Sequence, residues 1–140
     1  MKILAVDYGA SRTGLAVCDP TEFLTTPITP QITLKARPKV AAEVCRIAQE
    51  QKAELIVVGL PLNMDGTEGP RAELYRDFAA LVEDTAGLRP VLWDERRTTV
   101  DAHRILFEAG KNARKRKKTV DAVAASLILE GYLDHRRLRG

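Results

Sequence analysis

Ile3-Leu4-Ala5-Val6 is an unbroken apolar run that ends in an acid, Asp7, and a turn containing Gly9 and Gly14. A run without polar alternation marks a strand covered on both faces. Residues 13–18 form a second apolar run, so residues 2–19 predict an antiparallel hairpin with a glycine-containing connection. Asp7 then sits on rigid backbone at the edge of a core. A carboxylate there needs a partner, because an unpaired buried charge costs several kcal/mol or takes up a proton.

The rest of the chain alternates helix and strand signals. Residues 23–33 mix threonine with apolar residues but include Pro27 and Pro30, which donate nothing to a sheet ladder, so they predict an edge strand or an extended loop. Pro38 suits the first turn of a helix, and Val40, Ala41, Val44, Ile47 and Ala48 recur at helical spacing up to about residue 51. Residues 54–59 follow as a short buried strand, which completes the strand, helix, strand order of a parallel crossover. A turn-rich loop, 60–69, leads to Pro70 and a second helix, with Leu74, Tyr75, Phe78, Leu81 and Val82 on one stripe and Gly87 as its stop. Residues 89–93 are another short strand, ending in Asp94-Glu95. A helix over about 99–109, a basic connection over 110–118 and a last helix from 119 to about 135 complete the chain. The expected fold is α/β, a mixed sheet with a leading antiparallel hairpin and flanking helices. At 140 residues it fits a single domain, 1–140, of a size that buries roughly two-thirds of its unfolded surface.

Composition narrows the function classes. Hydrophobic residues make up 45% and charged ones 29%, which argues against a disordered chain. The longest apolar run is far too short to cross a bilayer, and Asp7 interrupts the N-terminus before a signal-peptide core develops, so a cytoplasmic protein with no membrane partner is expected. Cys18 and Cys45 have neither metal-ligand spacing nor a CxxC pair and read as buried reduced thiols. The net charge of +3 is mild, but the basic residues are concentrated late in the chain.

Three acidic positions are special: Asp7 at the end of the first strand, Asp94-Glu95 at the end of the last, and Asp121 in the first turn of the last helix. In alternating α/β sheets ligands gather beyond the carboxyl ends of strands, so the first two should open on the same edge. Asp121 shares a helix face with Ala124, Ala125 and Ile128, the face expected to pack on the sheet. Converging carboxylates repel unless a cation sits among them, and hard oxygen ligands suit Mg²⁺ or Mn²⁺. Blander accounts exist for each acid alone: Asp7 bonding its turn, Asp121 favoured by the helix dipole, Asp94-Glu95 capping a helix or pairing with Arg96 and Arg97. The conjunction favours a metal site.

The ordered blocks Asp7-Tyr8-Gly9…Arg12-x-Gly14-Leu15-Ala16…Asp19, Gly59-Leu60-Pro61-Leu62-Asn63-Met64-Asp65-Gly66, Asp94-Glu95-Arg96…Thr98-Thr99 and Lys118-x-Val120-Asp121-Ala122-x-Ala124-Ala125 resemble the YqgF (RuvX) family along almost the whole chain. That resemblance implies a ribonuclease H-like fold, as in RuvC-type resolvases. It also implies metal-dependent hydrolysis of nucleic-acid phosphodiesters, in maturation of the 5′ end of pre-16S rRNA or in resolution of Holliday junctions. By resemblance Asp7, Glu95 and Asp121 match the family's acidic positions, with Asp94 the alternative to Glu95.

Lys111, Arg114, Lys115, Arg116, Lys117 and Lys118 crowd the connection just before Asp121, where they would hold phosphates of structured RNA or branched DNA. Arg12, Asn63, Arg71 and Arg96 lie in or next to the quoted blocks and join them as candidate nucleic-acid contacts. Residues 135–139 read as a frayed tail. His103, inside an amphipathic segment, reads as structural or solvent-facing, and Tyr8 either faces the site or packs on it. Aromatic residues, at 5%, are too few to make base stacking the recognition mode. Two rival functions remain: a catalytically silent nucleic-acid-binding module, and a nucleotide-binding ATPase-like domain, for which 140 residues leave no second, facing domain. A two-fold symmetric junction substrate would call for a homodimer.

Overall fold

The computed structural model describes residues 1–63, 65–94 and 113–139, the side chains of residues 29, 30, 113–123, 138 and 139 excepted. In chain order the elements are β1 (Ile3–Asp7), β2 (Thr13–Cys18), β3 (Thr25–Ile32), α1 (Arg37–Glu50), β4 (Leu55–Leu60), α2 (Pro70–Ala86), β5 (Val91–Asp94) and α3 (Ala113–Arg139). They build one mixed five-stranded sheet in the order β3-β2-β1-β4-β5. β1 pairs antiparallel with β2 and parallel with β4, which pairs parallel with β5. The expected hairpin and crossover are both present. Pro27 and Pro30 fall on β3, an edge strand, where missing amide donors cost least.

β1 is central, and its alternate residues serve two different cores. Leu4 and Val6 join Leu15, Val17, Ile56 and Val58 beneath α1 and α2. Ile3 and Ala5 join Ala16, Cys18 and Val57 beneath Ala125, Ile128, Leu129 and Leu133 of α3. All four residues from Ile3 to Val6 are fully buried, which is why the run shows no polar alternation. Cys18 and Cys45 are buried and unbridged. Among the described residues no helix is long and apolar enough to cross a membrane.

Three expectations need correction. Leu74 is 45% exposed, because the buried stripe of α2 runs through Ala72, Tyr75, Phe78, Ala79 and Val82; Leu81 is only partly buried against the same core. The last helix starts at Ala113 rather than 119, so Arg114 to Lys118 belong to helix and not to a connection. Alanine, arginine and lysine are good helix formers, and no glycine or proline interrupts the chain between Gly110 and Gly131. The tail is not frayed: α3 runs to Arg139, and Arg136 Nε donates to Glu22 Oε1 at 3.1 Å while Arg137 Nη2 donates to the Glu22 carbonyl at 2.7 Å. The predicted helix over 99–109, with His103, lies outside the described residues.

Those arginine contacts fix the direction of α3. Its C-terminal end lies beside the β2–β3 turn, at the sheet edge where β1 begins, so the helix runs antiparallel to β1. The turn itself is organised by Asp19, whose carboxylate accepts from the Thr21 hydroxyl and from the Phe23 and Leu24 amides. The Thr21 hydroxyl, followed by the Leu24 amide, holds the Asp19 carboxyl below the usual carboxylate range.

Two outcomes follow for stability. Phe78, fully buried under Tyr8, should cost about 3–5 kcal/mol when cut to alanine, read as a fall in the urea midpoint. Because the folded-state pKa of Asp19 is depressed, the stability it adds is complete at neutral pH and is lost as pH falls through that pKa. Asp19→Asn should therefore flatten the acid limb of a stability-against-pH curve, measured by urea unfolding.

Candidate active site

Asp7 ends β1 directly opposite Gly14 of β2, and Gly59 lies one residue past the Val6–Val58 pair on β4. The pleat puts Asp7 on the face of Ile3 and Ala5, which is the α3 face. Gly14 has the parity of Ala16, and Gly59 that of Val57, so both glycines occupy this same face. The half-buried carboxylate is thus flanked on both neighbouring strands by backbone without side chains. The carboxyl edge of the parallel strands is where a ligand can approach such a group.

Asp94 shares that edge but not that face. It pairs with Leu60, and its parity is that of Leu92, both of which pack with the α2 side of the sheet, whereas Trp93 packs with α3. β5 is also two strands from β1, about 10 Å away across the ladder. The other expected acids are Glu95, which lies outside the described residues, and Asp121, whose backbone is in α3 but whose side chain is not described. Among the described residues no group of three His, Cys, Asp or Glu side chains is placed to hold a metal ion.

The candidate phosphate contacts distribute as follows. Arg12 is half-buried in the β1–β2 turn, beside the Asp7 edge. Arg71 lies in the first turn of α2, where its Nη2 donates to the Tyr75 hydroxyl at 3.4 Å and its guanidinium stacks 5.9 Å from the Tyr75 ring. Asn63 is engaged within its own loop: its Nδ2 donates to Thr67 Oγ1, its amide donates to the Thr67 carbonyl, and its carbonyl accepts from Gly66. Asp65 Oδ1 accepts from the Thr67 amide and hydroxyl, and Gly66 takes a positive φ of 89°, so the turn-rich loop turns at Asp65-Gly66. Arg114, Lys115, Arg116, Lys117 and Lys118 begin α3 by backbone, while Arg96 and Lys111 lie outside the described residues. Tyr8 packs on the α2 side, edge-on to Tyr75 and Phe78, and does not share the face of Asp7.

A family model described as RuvX, Holliday junction resolvase, matches residues 1–135. The chain belongs to the RuvX family. Curated relatives with the provisional name pre-16S rRNA nuclease include one from Clostridium botulinum, 45% identical over 134 residues that cover 96% of this chain and 97% of the relative. Another, from Halothermothrix orenii, is 40% identical over 136 residues, covering 96% of each. Among solved structures, Thermus thermophilus RuvC in complex with a Holliday junction superposes with a TM-score of 0.63 over 98% of this chain and 96% of that one, at 14% identity. A second Thermus thermophilus RuvC structure gives 0.58 at 13% identity and the same coverage. This RuvX chain therefore has the ribonuclease H-like fold expected of it.

Within this RuvX fold the turn after Asp7 tolerates no side chain at Gly9, because a Cβ there would press on the Arg12 carbonyl oxygen, a backbone atom that cannot swing aside. Gly9→Ala should cost about 1–3 kcal/mol of stability, measured by urea unfolding, as the turn carrying Arg12 reshapes.

Proposed function

We propose that this RuvX chain is a divalent-metal-dependent nuclease, a hydrolase of nucleic-acid phosphodiester bonds with one domain spanning 1–140. Its proposed role is maturation of the 5′ end of pre-16S rRNA in the cytoplasm. The observation that carries the reading is membership of the family together with a carboxylate, Asp7, held at the carboxyl edge of the central strand. The names of relatives at 40–45% identity favour ribosomal RNA over DNA as substrate.

Asp7, Glu95 and Asp121 are the acids assigned to Mg²⁺ or Mn²⁺. Asp7 offers hard oxygens on rigid backbone, with glycine on either side leaving room for a hydrated ion and a phosphate. The position of Asp94 on the opposite face argues for Glu95 in its place. The course of α3 supports Asp121. Arg136 sits at the far edge, and 15 helical residues earlier is about 22 Å along the axis; β1 needs only about 16 Å to reach Asp7. Position 121 also shares its stripe with the buried Ala124, Ala125 and Ile128. When bound, the ions supply positive charge at the phosphate being cut. Arg12, Arg71, Arg96, Lys111 and the Arg114 to Lys118 stretch hold the flanking phosphates, and Asn63 shapes the loop that meets the strand.

A four-way DNA junction is the second substrate to consider, because the family model carries the resolvase description. Paired cuts would then require paired sites, and so a homodimer.

The test is cleavage of a labelled 16S rRNA precursor and a labelled four-way junction, with Mg²⁺ or Mn²⁺. The precursor should be cut, chelation of the metal should stop the reaction, and Asp7→Asn should abolish cutting while binding is retained. A wild type that binds both substrates and cuts neither would make the silent binding module the better account. Replacing Lys115, Arg116, Lys117 and Lys118 by glutamine should weaken binding and reduce its log–log salt slope by roughly 0.7–0.9 for each phosphate that is no longer neutralised.

A further inference from the structure

Asp7 is followed by a residue that the α2 layer grips twice. The Tyr8 ring is packed edge-on against Tyr75, with centroids 5.2 Å apart, and against Phe78, at 4.1 Å. The Tyr8 carbonyl accepts the Tyr75 hydroxyl at 2.5 Å, across 67 positions of sequence. The ladder pairs of β1 reach Asp7 and Gly14, so this bond acts one residue past the last of them. Tyr75 is only 6% exposed, and Arg71 Nη2 donates to its hydroxyl from one helical turn away.

The pleat gives the grip its consequence. Consecutive side chains of an extended chain point to opposite faces. Holding Tyr8 against α2 therefore presents Asp7 to the α3 face, and the carbonyl bond stops the strand end from rotating about its axis. We propose that Tyr75 is a positioning residue for Asp7, its hydroxyl anchoring the backbone just after the acid and so holding the carboxylate toward the proposed metal site. The proposal rests on the reading of Asp7 as a metal-binding acid, but the positioning itself does not require metal. Misplacing a reacting group by about 1 Å costs on the order of a hundredfold in rate, so a single hydroxyl so close to the acid has leverage.

Tyr75→Phe keeps the ring contacts with Tyr8 and removes only the hydroxyl. In metal-free protein, NMR should show faster amide exchange at Gly9 and a moved carboxyl ¹³C resonance for Asp7. In the cleavage assay kcat should fall roughly ten- to a hundredfold. Thr85→Ala, which removes a hydroxyl bond to the Leu81 carbonyl at the far end of the same helix, should leave all of these at wild-type values. Unchanged Gly9 exchange and Asp7 resonance in Tyr75→Phe would overturn the proposal, as would a Thr85→Ala variant that reproduces the same changes. A wild type that cuts no substrate would defeat the nuclease reading, and the metal-free spectra would still decide whether Tyr75 orients Asp7.

Discussion

β1 has no solvent-facing side: two of its buried residues pack against the α1–α2 layer and two against α3. A strand in that position can bear a charge only where the covering layers stop, and Asp7 stands at that limit. Placed one residue earlier, a carboxylate would be desolvated on all sides and would lose its charge. The strand end leaves the acid half-buried but held by the ladder, and the register of the neighbouring strands then supplies glycine rather than side chains beside it.

The two layers divide the work. α1 and α2 supply large side chains and the Tyr75 hydroxyl, which lock the strand end from one face. α3 approaches the other face with Ala124 and Ala125, and Gly131 lets the Trp93 indole lie against the helix, where a Cβ would come within 3.3 Å of Nε1. Small residues on that helix bring its axis close to the sheet. Its far end is tied by Arg136 and Arg137 to the β2–β3 turn. The Arg136–Glu22 pair is partly exposed and contributes little alone. Joined to the Glu22 carbonyl bond and to Arg137 stacked 5.5 Å from the Phe23 ring, it sets where the helix ends, and hence how far it reaches at the other edge.

How much of this was legible in the sequence depended on the range of the interaction. The hairpin and the first helix are plain, and the prolines narrow residues 23–33 to an edge strand or an extended loop, because apolar runs, prolines and helical spacing are local signals. Leu74 is exposed because a stripe of apolar residues can be drawn through α2 in more than one way around Tyr75, Phe78 and Val82, and only the position of the sheet selects Ala72 and Ala79 to complete it. Asn63 reads from the sequence as a candidate nucleic-acid contact; its bond to Thr67 is short-range, but it depends on loop closure that spacing does not reveal. The opposite faces of Asp7 and Asp94 could be read only once Leu92 and Trp93 had been assigned to their cores. Helical spacing puts the Tyr75 ring on the buried stripe but gives no sign of its hydroxyl's contact, which meets a carbonyl on another element.

The start of α3 was misread for a more instructive reason. Five consecutive basic residues, Arg114 to Lys118, open a helix at the end where the macrodipole disfavours positive charge. Mutual repulsion adds to the cost, which is why a solvated connection was the natural expectation. Helix propensity and the continuation of the buried stripe from Ala124 onward outweigh both terms. At 27 residues α3 is about 40 Å long, roughly twice the span of the strands it covers, so its basic first turns extend past the sheet on the side of Asp7. Sequences that break a local rule tend to do so at functional or strained sites. Under the proposed function, the phosphates of a nucleic-acid backbone would offset the positive charge gathered beyond this edge of the sheet.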